Sequence, residues 1–257
     1  SEIARGDTLA APAFAEHDSL KTFDVVLANP PYSIKQWNRE AWTTDPWGRN
    51  FLGTPPQGRA DYAFFQHILR SMDPKTGRCA ILFPHGVLFR KEESDLRRKL
   101  IEADLVDCVV GLGPNLFYNS PMEACVVFCR SKKPAKRRGQ VLLIDAVNEV
   151  ARERAVSFLK PEHQARIEAA YAAFKDEEGF AKVATTAEIA AQNFSLSIPL
   201  YVKRQAANAT SNGTAASTLR EAWDAWESSG RTFWTQMDAV VDMLDGLVGE
   251  AGEVVDG

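Results

Sequence analysis

Asn29, Pro30, Pro31 and Tyr32 directly follow the apolar run Phe23 to Ala28, and these residue types suit methyl transfer to an exocyclic amine on a planar substrate. Such an amine is a poor nucleophile because its lone pair is delocalised into the ring, so a site must draw that pair out of conjugation. Two hydrogen-bond acceptors do this: the Asn29 side-chain oxygen and the Pro30 carbonyl each take an N–H, and the nitrogen moves toward tetrahedral geometry. Pro30 and Pro31 fix φ near −65° and carry no N–H, so the turn is rigid and no backbone donor competes at the site. Tyr32 adds an aromatic face for stacking on a base. The same four residues also read as a plain turn closing a strand. Their place at the carboxyl end of a strand, where open α/β sheets bind ligands, favours chemistry.

The elements around the motif follow from hydrophobic patterning. Residues 23–28 read as a buried strand of a parallel sheet. Residues 33–58 form a long irregular stretch holding Trp37, Trp42, Trp47, Phe51, Lys35, Arg39 and Arg49. Aromatics interleaved with cations suit an extruded base and its phosphates, which makes Trp37 and Arg39, with Pro31 and Tyr32, the candidate substrate contacts. Tryptophans packed back on their own domain are the alternative. Helices are expected over 61–72 and 92–103, with strands over 79–83, 106–112, 124–129 and 141–144. That order predicts a doubly wound, Rossmann-like α/β sheet whose third and fourth strands form an antiparallel hairpin.

Composition narrows the class. The chain has 257 residues, 45% of them apolar, and a net charge of −4. Residues 205–257 carry two basic and nine acidic residues, which leaves residues 1–204 at +3, far from the strongly basic balance of an independent DNA binder. No run of 18 apolar residues and no signal-peptide core is present, so a cytoplasmic protein is expected. Cys79, Cys108, Cys125 and Cys129 lie in or beside apolar runs without the paired CxxC spacing of a zinc site, and read as buried free thiols with no metal. Lys132, Lys133, Lys136, Arg137 and Arg138 read as a solvated hairpin tip, with a phosphate contact as the alternative. Gly111-Leu112-Gly113 lacks the third glycine and following helix of a nucleotide loop. His67 and His85 read as structural, because this transfer needs no strong base.

Beyond the four-residue motif, several segments recur in order: Gly58 to His67 (GRADYAFFQH), Phe83 to Arg90 (FPHGVLFR), Asn115 to Tyr118 (NLFY), Leu143 to Ala146 (LIDA) and Phe194 to Val202 (FSLSIPLYV). In this order and spacing the chain resembles the modification subunit of type I restriction-modification systems, from about Gly6 to Val202. The resemblance implies an adenine-N6 DNA methyltransferase that uses S-adenosyl-L-methionine. Catalytic roles then fall to Asn29, Pro30 and Tyr32, and cofactor contacts to Asp7 and Asn29. Double-stranded DNA and the specificity and restriction subunits are the implied partners. Tyr32 stands where that family more often has phenylalanine, which keeps the stacking face.

The resemblance also predicts a glycine-rich turn for the cofactor ahead of this motif, and the chain has none before Phe23. The chain therefore reads as a carboxy-terminal portion, inactive alone, whose strand at 23–28 has an unpaired edge. Residues 1–204 are expected to form this incomplete catalytic domain, 205–217 a small-residue linker and 218–257 a helical tail for subunit assembly. Along the tail Trp223, Trp226, Phe233, Met237, Val240, Val241, Leu244 and Leu247 recur at helical spacing. A non-catalytic scaffold for the specificity subunit, or an RNA or protein-glutamine methylase sharing the motif, are the competing functions.

Overall fold

The structure, a computed structural model, describes residues 2–117, 122–153 and 156–203. The linker expected at 205–217 and the helical tail at 218–257 lie outside the described residues.

A short hairpin, β1 (Ala15–Glu16) and β2 (Ser19–Leu20), precedes β3 (Val25–Ala28). The helices α1 (Arg39–Thr43) and α2 (Asp61–Arg70) then lead to β4 (Arg78–Pro84). Helix α3 (Ser94–Glu102) follows, with β5 (Val106–Leu112), β6 (Ala124–Arg130) and β7 (Gln140–Ala146). The small hairpin β8 (Ala151–Glu153) and β9 (Val156–Phe158), helix α4 (Pro161–Ala173), β10 (Ala181–Thr185) and α5 (Thr186–Ala191) complete the series.

Six strands form one mixed sheet in the order β10-β7-β5-β6-β4-β3. Strands β3, β4, β5 and β7 run in one direction; β6 and β10 run against them. The antiparallel β5–β6 hairpin is the one the sequence predicts. Alternate residues of each strand enter cores on opposite faces of the sheet. Ile81, Val109, Val127 and Leu143 join Phe65 of α2 and Leu100 of α3 on one side. Cys108, Val110, Leu142 and Ile144 join Ala170 of α4 on the other. All four cysteines are buried and free.

The carboxy-terminal segment is part of the first core. Leu196, Ile198 and Val202 are buried, and the buried Arg97 of α3 donates to the Phe194 carbonyl at 2.7 Å. Gly111 makes room for this segment. A Cβ there would stand 2.7 Å from Ile198 Cδ1, so the glycine serves strand packing within β5 rather than a nucleotide loop.

Two expectations change. Strand β3 is not buried but forms the edge of the sheet, with Val25 46% and Leu27 77% exposed; this agrees with the unpaired edge expected for it. The basic run is not a solvated tip. Lys133 is buried against Asp104 Oδ1 at 2.6 Å, and Arg137 donates to the buried Asp107 at 3.0 Å while stacking 4.3 Å from the Phe174 ring. Lys132, Lys136 and Arg138 alone of the five remain exposed.

Candidate active site

Because β3, β4, β5 and β7 share a direction, their carboxyl ends share one edge of the sheet, and the residues that follow β3 there are Asn29 to Tyr32. Pro30 is buried, Asn29 and Pro31 are exposed, and Tyr32 is half-buried. The Tyr32 hydroxyl donates to Asn29 Oδ1 at 2.9 Å. A carbonyl oxygen has two lone pairs, so Asn29 retains one acceptor position for a substrate N–H while Tyr32 holds the side chain in place. Burial, with the charges of Cys125 and Asp61, raises the Tyr32 pKa above that of an ordinary phenol, which favours the neutral, donating hydroxyl.

The long loop is organised around its own side chains. Trp37 Nε1 donates to the Gln57 carbonyl at 3.0 Å, and Gln57 Nε2 returns bonds to the carbonyls of Lys35 and Trp37. Arg39 Nε donates to the Pro55 carbonyl at 2.8 Å. Trp42 is buried and meets Trp37 edge-on at 6.0 Å. The alternative reading therefore holds for Trp42, while Trp37 and Arg39 are partly exposed and anchored within the loop.

Arg49 is the centre of this region. It is 1% exposed, its guanidinium lies 4.6 Å from the Trp42 ring and 4.7 Å from the Trp47 ring, and it pairs with Asp45 at 2.6 Å. It also donates to the carbonyls of Thr8 and Leu9, each at 2.9 Å, and lies 3.4 Å from His67 Nδ1. Burial, then the neighbouring Arg49 charge, pushes the His67 pKa down to about 4, so His67 is a neutral structural group.

Arg49 thereby fixes the segment that carries Asp7, whose Oδ1 accepts from the backbone N–H groups of Leu9 and Ala10. Asp7 and Trp37 share a cleft of about 320 Å³ with Trp47 and Arg49. Of the two candidate cofactor contacts, Asp7 lines this cleft and Asn29 does not.

A second charged group lies under the motif. Asp61 and Glu93 are fully buried, and Arg90 Nη1 reaches Asp61 Oδ2 at 2.7 Å and Glu93 Oε2 at 3.4 Å. Burial raises the Glu93 pKa to about 7, opposed by Arg90 and assisted by Asp61. Asp61 Oδ1 accepts the Ser33 N–H at 2.7 Å. Sequence analysis assigns no role to Asp61, Arg90 or Glu93, although Asp61 and Arg90 stand in two of the segments that carry the resemblance. The contact of Asp61 with Ser33 spans 28 positions of chain, which no local pattern records. His85 Nδ1 faces Glu123 Oε2 at 3.4 Å, in a separate cleft with Leu88, Asp145 and Ile198.

The family described as N-6 DNA Methylase matches residues 1–210, most of the chain. The chain belongs to the N-6 DNA methylase family. Among curated members of related systems, the Type I restriction enzyme HindI methylase subunit of Haemophilus influenzae is 34% identical over 191 residues, covering 71% of this chain and 42% of that protein. The Type I restriction enzyme MjaVIII methylase subunit of Methanocaldococcus jannaschii is 32% identical, covering 79% and 36%. The type I restriction-modification system methyltransferase subunit of Streptococcus thermophilus superposes with a TM-score of 0.70 at 32% identity, over 77% of this chain and 41% of its own. This N-6 DNA methylase chain thus spans about two-fifths of the length of these relatives, and its mixed α/β sheet has the fold of the type I methyltransferase subunits.

Proposed function

We propose that this chain carries the amine-activating part of the active site of an adenine-N6 DNA methyltransferase subunit of a type I restriction-modification system. The observation that supports it best is the Asn29-Pro30-Pro31-Tyr32 loop at the carboxyl end of a parallel strand in a member of the N-6 DNA methylase family. In this reading an adenine extruded from double-stranded DNA stacks on Tyr32. Its amine donates one N–H to the free lone pair of Asn29 Oδ1 and the other to the Pro30 carbonyl. Held this way by Asn29 and Pro30, the nitrogen lone pair would be directed at the methyl group of a bound sulfonium donor, which would leave as the neutral thioether. The proton on nitrogen becomes acidic once the methyl is attached and would pass to solvent water, so no strong base is required and His67 and His85 have no part in the step.

S-adenosyl-L-methionine supplies the methyl group in this chemistry. The donor set beside Trp37 fits its adenine end: the Asp7 carboxylate offers an acceptor for an amino group, and the Trp37 indole offers an aromatic wall in the same cleft. For its methionine end we propose a glycine-rich strand and turn pairing with the edge of β3 that is open among the described residues. Exposed Val25 and Leu27 are the apolar surface such a strand would cover. Without that element the chain is expected to be inactive. Residues 1–204 act in this reading as the catalytic portion, and 218–257, joined through 205–217, as the assembly element for the specificity subunit. The restriction subunit joins the same complex, in the cytoplasm.

Asn29→Ala in the full-length subunit, assembled with its specificity subunit, tests the proposal through transfer of labelled methyl groups to DNA. Activity is expected to be lost while complex formation is unchanged; retained methylation would sink the assignment. Labelling of RNA or a glutamine-containing peptide in place of DNA would move the site to another substrate class.

A further inference from the structure

The residue that follows the motif, Ser33, has φ of 52°, in the left-handed region where a residue with a side chain is strained. Such a conformation persists only where its surroundings hold it. Two hydrogen bonds do so here, both from the start of α2. Asp61 Oδ1 accepts the Ser33 N–H at 2.7 Å, and the Ala60 N–H donates to the Ile34 carbonyl at 3.1 Å. The Ser33 hydroxyl lies 3.5 Å from the second Asp61 oxygen.

We infer that Asp61 is the positioning residue of this site: it sets the backbone turn at Ser33 and through it the orientation of Pro30, Pro31 and Tyr32. The inference rests on the proposed function for its catalytic consequence, but its structural part does not. A fully buried carboxylate needs an opposite charge, and Arg90 supplies it at 2.7 Å, steadied in turn by Glu93. The Pro84-His85-Gly86 segment leaves room for that cation. A Cβ on Gly86 would collide with the Arg90 guanidinium, so this glycine serves the close approach of Arg90 to the site. The chain of contacts runs from Glu93 through Arg90 and Asp61 to Ser33, one residue beyond Tyr32. Asp61 is hydrogen-bonded to the residue after the motif, at the Ser33 N–H, and its charge also reaches the Tyr32 hydroxyl.

The experiment measures two quantities in the assembled full-length subunit carrying Asp61→Ala, Asp61→Asn or Gly86→Ala. One is hydrogen exchange at the Ser33 amide; the other is the kcat and KM of methyl transfer. Loss of a hydrogen bond to a charged acceptor is expected to speed Ser33 exchange about 10- to 100-fold in Asp61→Ala. Misplacement of the acceptors on the ångström scale is expected to lower kcat about 100-fold with the cofactor KM unchanged. Asp61→Asn keeps an acceptor for Ser33 but loses the pairing with Arg90, and should fall between wild type and Asp61→Ala in both measurements. Gly86→Ala, which displaces Arg90 while leaving Asp61 in place, should lower kcat without touching the motif. Wild-type kcat in Asp61→Asn and Gly86→Ala, or unaltered Ser33 exchange in Asp61→Ala, would overturn the inference. An inactive wild-type complex would instead refute the proposed function, and the exchange result would still judge the role of Asp61 in holding Ser33.

Discussion

His67, partly buried, and Glu93, fully buried, have oppositely displaced pKa values that should cancel in the wild-type stability profile and be revealed one at a time by substitution. His67 is lowered from 6.5 to about 4, so between those values the unfolded chain holds a proton that the native protein does not, and stability rises with pH. Glu93 is raised from 4.5 to about 7, so across its window the native protein holds the extra proton and stability falls with pH. From about pH 4.5 to 6.5 the two proton differences are equal and opposite. Each alone would give a slope of about 1.4 kcal/mol per pH unit, or about 3 kcal/mol over the interval. Glu93→Gln should therefore turn a flat profile into one that rises with pH, and His67→Gln into one that falls. Gln at 67 retains an acceptor for Arg49, and Gln at 93 retains one for Arg90, so packing is least disturbed. Urea unfolding at several pH values, followed by circular dichroism, gives the stabilities; differences between variants remove the contribution of carboxylates common to all three. Parallel profiles for the three proteins would refute the reasoning, and so would both variants tilting the same way.

Arg49→Met should cost about 3–5 kcal/mol of stability, because it leaves the Asp45 carboxylate, 2% exposed, without its partner; Arg49→Met combined with Asp45→Asn should cost less than the single change in the same urea titrations. Tyr32→Phe removes the bond that holds Asn29 at 2.9 Å while keeping the ring, and should lower methylation in the assembled subunit by no more than about ten-fold, whereas Tyr32→Ala should weaken DNA binding by about 1–3 kcal/mol through lost stacking. Loss of activity in Tyr32→Phe would mean that the hydroxyl, rather than the aromatic face, is what the site requires.

The strands were legible where a short apolar run decides the structure locally. Val106 to Leu112 is a strand over the residues its pattern predicts, buried on both faces and so uninterrupted by polar alternation except at Asp107. The same kind of run at 23–28 gave a strand but not its burial, because whether a strand is central or at an edge depends on a neighbour that its own residues do not encode. Charges were the least legible. Lys133 and Arg137 stand in a run that reads as solvated, yet each meets an aspartate 29 or 30 positions away, Asp104 or Asp107. A charge pattern records what lies beside a residue in sequence, whereas its cost of burial is settled by what lies beside it in space.

The active-site motif shows both limits together. Asn29, Pro30, Pro31 and Tyr32 are readable because their chemistry is local: two acceptors, a rigid turn and a ring within four residues. What holds them is not local. The left-handed turn at Ser33 is stabilised by a carboxylate 28 positions onward, whose charge is balanced by Arg90 another 29 positions away. Each partner taken alone has an ordinary reading, as a helix-start acid or a surface cation. The complete burial of Asp61, with Arg90 only 12% exposed beside it, is what separates a support for the motif from a coincidental ion pair, since an isolated carboxylate at that place would be strongly destabilising.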